Sequence, residues 1–191
     1  MSQIRFLFDP SRCIGCRACE MACRNEFADE GGEKWRWIKE VESDDGYYFL
    51  SLSCNHCENP ECFRVCPEKS YSKRSDGIVI HDASACIGCG DCVRACPFNA
   101  PKYSFKTNKV DKCNFCYHRL DNGLLPACID ACMNHALKLL HKDESDPKDC
   151  FSSIPGFGDS LFTRPTSRFT LSRNILGINS KKGDIDDDRA I

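Results

Sequence analysis

Cys86-Ile87-Gly88-Cys89-Gly90-Asp91-Cys92-Val93-Arg94-Ala95-Cys96-Pro97 decides the reading of this chain. Three thiols stand three residues apart, and a fourth follows four positions on, ahead of a proline. That is the C-x2-C-x2-C-x3-C-P run of a cubane iron–sulfur ligand set. The three close thiols wrap a loop around one cluster. Gly88 and Gly90 let that loop turn tightly and bring backbone N–H groups toward the cluster sulfurs. Cys96 points elsewhere, because in two-cluster ferredoxins the fourth cysteine ligates the other cluster. Pro97 cannot continue a helix and turns the chain away. The run therefore calls for a second cluster, with ligands supplied from elsewhere in the sequence.

The chain holds 17 cysteines, a density that signals either disulfides or metal sites. Sixteen fall into four quartets: Cys13, Cys16, Cys19, Cys23; Cys54, Cys57, Cys62, Cys66; Cys86, Cys89, Cys92, Cys96; and Cys113, Cys116, Cys128, Cys132. They match four [4Fe-4S] cubanes with none missing, and Cys150 is left over. A disulfide framework suits small secreted chains, but this one opens Met-Ser-Gln-Ile-Arg, without an apolar signal segment. Structural zinc prefers two separated C-x2-C pairs, which is not this spacing.

Length and charge narrow the remaining options. At 191 residues the chain fits one compact domain or two small ones. A net charge of −2 gives no reason to expect nucleic acid or an anionic membrane surface. No stretch approaches the ~20 apolar residues of a bilayer-spanning helix, so the expectation is a soluble or peripheral protein. No Gly-rich dinucleotide or P-loop fingerprint is present; Gly156-Phe157-Gly158 is only a fragment of one.

Read in order, Ile4 to Phe8 is a short β-prone run closed by Asp9-Pro10-Ser11. Cys13-Ile14-Gly15-Cys16 repeats the tetrapeptide at Cys86, as a duplicated unit would, and Cys23 falls on a short helix reaching about Phe27. Arg24 stands where Pro97 stands in the other copy. Residues 28–46 read as a charged excursion, in which Trp35 and Trp37 share one face of a strand. Tyr47 to Leu52 is a second strand candidate and Gly77 to His81 a third. His56, between two ligands, either donates to a cluster sulfur or simply packs. Phe98 to Phe105 reads as extended through its prolines. Lys109, Lys112 and Arg119 either soften cluster charge or are solvated, Asp121-Asn122-Gly123 is a turn, and Ala136 to Leu140 a closing strand.

From His141 onward the cysteines stop, apart from Cys150, and no period survives. Phe151, Phe157, Leu161, Phe162, Phe169 and Ile175 are apolar anchors suited to lying on another surface, either the chain's own domain or a partner. Residues 181–188 read as a solvated, frayed end.

The crossing rule then assigns ligands. Cys54, Cys57 and Cys62 share a cluster with Cys96, and Cys86, Cys89 and Cys92 share one with Cys66. Across the chain ends, Cys13, Cys16 and Cys19 share a cluster with Cys132, and Cys113, Cys116 and Cys128 share one with Cys23. The expected fold is α+β, with two nested bacterial-type two-cluster ferredoxin modules of short β-hairpins and short helices. The inner module spans about 47–105 and the outer about 1–27 plus 106–141, giving a four-cluster domain over 1–141. An irregular tail covers 142–191. Metal binding supplies much of the folding free energy of so small a core. Nothing else in the chain looks able to transform an organic substrate, so the expectation is electron transfer rather than catalysis.

Cys96-Pro97-Phe98-Asn99-Ala100-Pro101-Lys102-Tyr103 and Lys112-Cys113-Asn114-Phe115-Cys116-Tyr117-His118-Arg119, with the four quartets, resemble the iron–sulfur subunit of dimethyl sulfoxide reductase-type molybdoenzymes. The resemblance covers about residues 3–141 and, more loosely, Phe162-Thr163-Arg164-Pro165. Met133 departs from it, standing where relatives commonly carry proline. The resemblance implies a large molybdenum or tungsten bis-pterin catalytic subunit as partner, often a quinol-linked membrane anchor, and four clusters relaying electrons between them. It also implies that such a chain, without its own export signal, stays cytoplasmic or membrane-peripheral, or crosses folded on a partner's twin-arginine signal. The alternative reading is a freely diffusing polyferredoxin or a relay subunit of a tungsten aldehyde oxidoreductase-like complex. Substrate, direction of electron flow and cluster potentials are not encoded in these motifs.

Overall fold

The computed structural model describes residues 3–27, 34–43, 46–141, 144–158 and 162–170. Short elements dominate, because the cysteine loops leave little room between them. β1 (Arg5–Phe8) leads through a 3-10 turn at Pro10–Arg12, capped by the Asp9 carboxylate, into the first quartet. α1 (Ala18–Glu26) carries Cys19 and Cys23. β2 (Trp37–Ser43) and β3 (Gly46–Leu52) form the longest antiparallel hairpin, in register from Trp37 opposite Leu52 to Ser43 opposite Gly46. α2 (Glu61–Arg64), β4 (Tyr71–Lys73), β5 (Val79–His81), α3 (Asp91–Ala95), β6 (Lys102–Ser104) and β7 (Lys109–Asp111) follow. β4 pairs with β5 and β6 with β7, both antiparallel. α4 (Tyr117–Leu120), α5 (Ala127–Asp130) and β8 (Leu137–Leu140) complete the cysteine-bearing part.

Sheet pairing ties the ends together. β8 lies antiparallel to β1, with Arg5 opposite Leu140 and Phe8 opposite Leu137. β10 (Arg168–Thr170) adds parallel to the other edge of β1, and β9 (Cys150–Phe151) pairs antiparallel with β10. The order is β8-β1-β10-β9. β1 is thus central, and all four of its residues are buried. Helices of four or five residues cannot hold themselves in water. Docking holds them: α5 against the nine-residue α1, and α2 against α3.

The larger of two core clusters among the described residues gathers around β1 and β3. Phe6 stacks on Phe115 at 4.0 Å between ring centroids. Leu50 and Ile78 are fully enclosed. The segment after residue 144 contributes Ile154, Phe157 and Phe169, and Phe157 bridges Phe98 at 5.1 Å and Phe169 at 4.6 Å. Of the other anchors expected there, Phe151 is partly exposed and Phe162 is 87% exposed. Leu161, Ile175 and residues 181–188 lie outside the described residues.

Several elements differ from the sequence reading. Residues 37–43 form a strand within what reads as an excursion, because β3 offers a full-length partner. Trp35 precedes that strand, so the two tryptophans do not share a face. Trp35 is buried against Phe27 at 4.4 Å, whereas Trp37 packs under Lys102 Nζ at 4.7 Å. The stretch from Phe98 is not extended at its start: Asn99 has φ +52°, and only Lys102–Ser104 is strand. The segment beyond His141 is not wholly irregular, since backbone pairing to β1 imposes order that its composition does not encode.

Candidate metal centres

The cysteine loops share one backbone device. The residue before the second thiol of each leading C-x2-C pair is left-handed: Gly15 at φ +69°, His56 at +43°, Gly88 at +73° and Phe115 at +63°. This turn points that residue's N–H back at the preceding thiol. His56 N lies 3.5 Å from Cys54 Sγ, Gly88 N 3.4 Å from Cys86 Sγ, and Phe115 N 3.4 Å from Cys113 Sγ, while Gly15 N serves Cys13. Gly88 is tight as well as left-handed, because a Cβ there would sit 2.2 Å from the Asn108 carbonyl oxygen. At Gly15 the Cβ would meet the Phe49 ring at 2.6 Å. Two non-glycine residues adopt the same strained turn, as happens where surrounding structure over-determines a functional site. Sequence could signal it only at the glycines.

A recess of about 370 Å³ is lined by Cys54, Cys57, Cys62 and Cys96, together with His56, Lys112 and Thr163. A second, of about 280 Å³, is lined by Cys66, Cys86, Cys89 and Cys92, with Tyr71 and His81. Each gathers three thiols of one quartet and the last thiol of the other. At the far end, Cys13 has Cys16, Cys19 and Cys132 as electrostatic neighbours, and Cys23 has Cys113, Cys116 and Cys128. The docking of α1 on α5 creates this second pair of groups. The four groups also abut in series. Cys19 neighbours Cys128, Cys113 neighbours Cys54, and Tyr71 lies among Cys92, Cys62 and Cys54. Cys16 and Cys89, at the two extremes, are exposed. Cys150 stands apart in β9.

These surroundings suit anionic sulfur cages. Burial pushes the Cys113 thiol up to about 11, and the Cys57 and Cys116 thiols up to about 12. Closely placed thiols in dry recesses resist ionising unless a metal takes the proton's place. Buried cations favour that exchange. Lys112 is 1% exposed, and its ammonium donates to the carbonyls of Val79 and, at 3.1 Å, Cys113. Arg36, a residue no motif singles out, is 2% exposed. Of the other flanking cations, Lys109 donates to the Ala83 carbonyl at 2.6 Å, and Arg119 pairs with Glu26 and Asp130 at the surface.

His56 is fully buried and neutral; burial, then the charge of Lys112, holds its pKa well below the usual histidine value. Its Nδ1 accepts the Val79 N–H at 3.1 Å, which leaves the ring proton on Nε2. That atom has no partner among the described residues. Thr163, from the far end of the chain, hydrogen-bonds Cys57. Around it the backbone clamps the second quartet: Glu58 N donates to Arg164 O at 2.9 Å, Asn59 N to Thr163 O at 3.0 Å, and Thr166 Oγ1 to Asn55 O at 2.6 Å.

Comparison with known proteins agrees with this chemistry. A family described as "4Fe-4S dicluster domain" matches residues 46–142, and a second of the same description matches residues 12–70. The protein is 38% identical over 177 residues to the B subunit of anaerobic dimethyl sulfoxide reductase from Escherichia coli, covering 86% of each. It is 40% identical to the thiosulfate reductase electron transfer subunit PhsB of Salmonella typhi, over 76% of this protein and 79% of that one. To the B subunit of polysulfide reductase from Wolinella succinogenes it is 34% identical, over 94% and 96%.

Proposed function

The chain belongs to the 4Fe-4S dicluster family of iron–sulfur electron-transfer subunits of dimethyl sulfoxide reductase-type enzymes, and on that premise we propose that it relays single electrons through four [4Fe-4S] clusters held in series. It is an electron-transfer chain and not the catalytic subunit. Cluster 1 takes Cys13, Cys16, Cys19 and Cys132; cluster 2 takes Cys23, Cys113, Cys116 and Cys128. Cluster 3 takes Cys54, Cys57, Cys62 and Cys96, and cluster 4 takes Cys66, Cys86, Cys89 and Cys92. The observation that carries this reading is the pair of recesses in which each third-quartet or second-quartet triplet meets the other quartet's last thiol.

The clusters, when bound, supply one-electron redox chemistry over a range of potentials set by charge, hydrogen bonds and exposure. The protein's part is positioning. Left-handed turns present N–H groups to thiolate sulfur, Lys112 and Arg36 hold positive charge in the interior, and Tyr71 and Phe115 fill the spaces between sites and keep water out. The exposed Cys16 and Cys89 mark the two ends at which electrons arrive and leave. The partner at one end is a large molybdenum or tungsten bis-pterin catalytic subunit. Where the complex is quinol-linked, we assign the membrane anchor to a further subunit. No helix among the described residues is long and apolar enough to cross a membrane.

Iron analysis of anaerobically purified protein tests the cluster number, and about sixteen iron atoms per chain is the expected result. Zinc with little iron would refute the relay. Cys96→Ser tests the crossing: the signal of cluster 3 should be lost or altered while cluster 4 stays. Loss of cluster 4 alone would reverse the assignment. A native monomer near 21.6 kDa that retained its clusters would refute membership of a complex.

A further inference from the structure

Arg36 is buried, 2% exposed, and no carboxylate is among its hydrogen-bond partners. Its Nη1 donates to Ser51 Oγ at 2.9 Å and its Nη2 to Ser53 Oγ at 2.8 Å. The Phe6 ring covers its face at 4.5 Å. The Ser51 hydroxyl is in turn 3.4 Å from Cys19 Sγ. A buried guanidinium is costly unless it meets negative charge. Two hydroxyls, the Ser51 carbonyl at 3.4 Å and a ring do not supply that. The charges around it are sulfur: Cys128, Cys19, Cys113 and Cys23. Cys19 belongs to proposed cluster 1, and Cys23, Cys113 and Cys128 to proposed cluster 2.

We propose that Arg36 is a positioning residue for electron transfer, a fixed positive charge wedged between clusters 1 and 2 that raises both reduction potentials. The inference rests on the ligand assignment above. Adding an electron makes a thiolate-ligated cluster more negative, so a nearby cation favours the reduced state. Both sites share the charge, so it raises them together. One electron enters one cluster; no bond to Arg36 forms or breaks, and its guanidinium keeps its proton. The Ser51 and Ser53 hydroxyls hold the fork in place without neutralising it, which a carboxylate would do. A planar fork with five donors suits this anchorage better than an ammonium.

The test is a redox titration, followed by paramagnetic resonance, of the assembled complex carrying Arg36→Gln or Arg36→Lys. Arg36→Gln should reduce the equilibrium constant for one-electron reduction of clusters 1 and 2 at least tenfold, a shift of about 59 mV downward. Clusters 3 and 4 should move less. Arg36→Lys should restore most of the loss. Full iron content with all four potentials unchanged in Arg36→Gln would overturn the proposal. If Arg36→Gln loses iron at these sites, Arg36→Lys and Arg36→Met are compared, the first keeping the charge and the second removing it at similar chain length. Iron and potentials kept in Arg36→Lys while Arg36→Met loses iron or drops tenfold support the proposal, and Arg36→Met with full iron and unchanged potentials overturns it. Wild-type protein lacking iron or the four signals would instead sink the relay reading itself, so the two failures are distinguishable.

Discussion

The ring of His56 accepts the backbone N–H of Val79 at 3.1 Å. That bond crosses from the second cysteine quartet to β5, next to the third. It fixes the imidazole while His56's own backbone sits at φ +43° with its N–H on Cys54 Sγ. One residue therefore serves two neighbouring units, and its side chain holds a turn that glycine would make more easily.

This inverts the usual ranking of small substitutions. His56→Ala and His56→Gly both lose the bond to Val79 and leave the same space. Alanine keeps the left-handed strain, about 1–2 kcal/mol, while glycine does not. The expected outcome is that His56→Gly retains more cluster-3 iron and a higher unfolding midpoint than His56→Ala. The opposite order would show that the turn is not strained.

Gly88→Ala should be far more damaging than Gly15→Ala. Both positions are left-handed, but the new Cβ at Gly88 meets a backbone carbonyl at 2.2 Å, whereas at Gly15 it meets a ring that can swing. Gly88→Ala is expected to lose about four iron atoms per chain, one cubane. Gly15→Ala should keep its iron with a lowered unfolding midpoint. Equal iron content in the two variants would contradict this.

Asp146 joins the first strand to the last. Arg5 Nε donates to its Oδ1 at 2.8 Å and Arg168 Nε to its Oδ2 at 2.7 Å. Burial alone would raise its pKa; the Arg168 bond and charge, then Arg5, outweigh it and hold the carboxyl below its usual value. A depressed carboxyl stabilises the folded state above its unfolded pKa, and that contribution is lost as pH falls through the folded pKa. Its side chain is 38% exposed, so the pairing contributes only about 1 kcal/mol. Asp146→Asn should speed amide exchange in β10 about fivefold at pH 7. The difference should persist to about pH 5 and shrink below about pH 4. An Asp146→Asn effect that grew on acidification would sink the account.

Metal removal should unmask thiols in a fixed pattern. In loaded protein, alkylation is expected to modify Cys150 alone, and slowly, because burial raises its pKa. After a chelator strips the iron, all 17 cysteines should react. Labelling of Cys66 or Cys96 in the loaded protein would contradict their assignment as ligands.

Sequence alone determined the chemistry. The spacing of sixteen thiols, the doubled Cys-Ile-Gly-Cys and the absence of any nucleotide fingerprint led to iron–sulfur electron transfer, because ligand spacing is a local property. Short strands at 5–8, 46–52, 79–81 and 137–140 were legible for the same reason. Only the tertiary structure decided what surrounds the thiols. Arg36 carries no motif and lies in a segment that reads as a charged excursion, yet β2 and β3 pair and enclose it. Sequence leaves Lys112 open between softening cluster charge and solvation; in the fold its ammonium is buried and reaches carbonyls 33 and one residue away. Thr163 and Asp146 act only because β10 adds to the free edge of β1. Burial and long-range pairing are properties of the whole packed chain, so no window of sequence around those residues contains them.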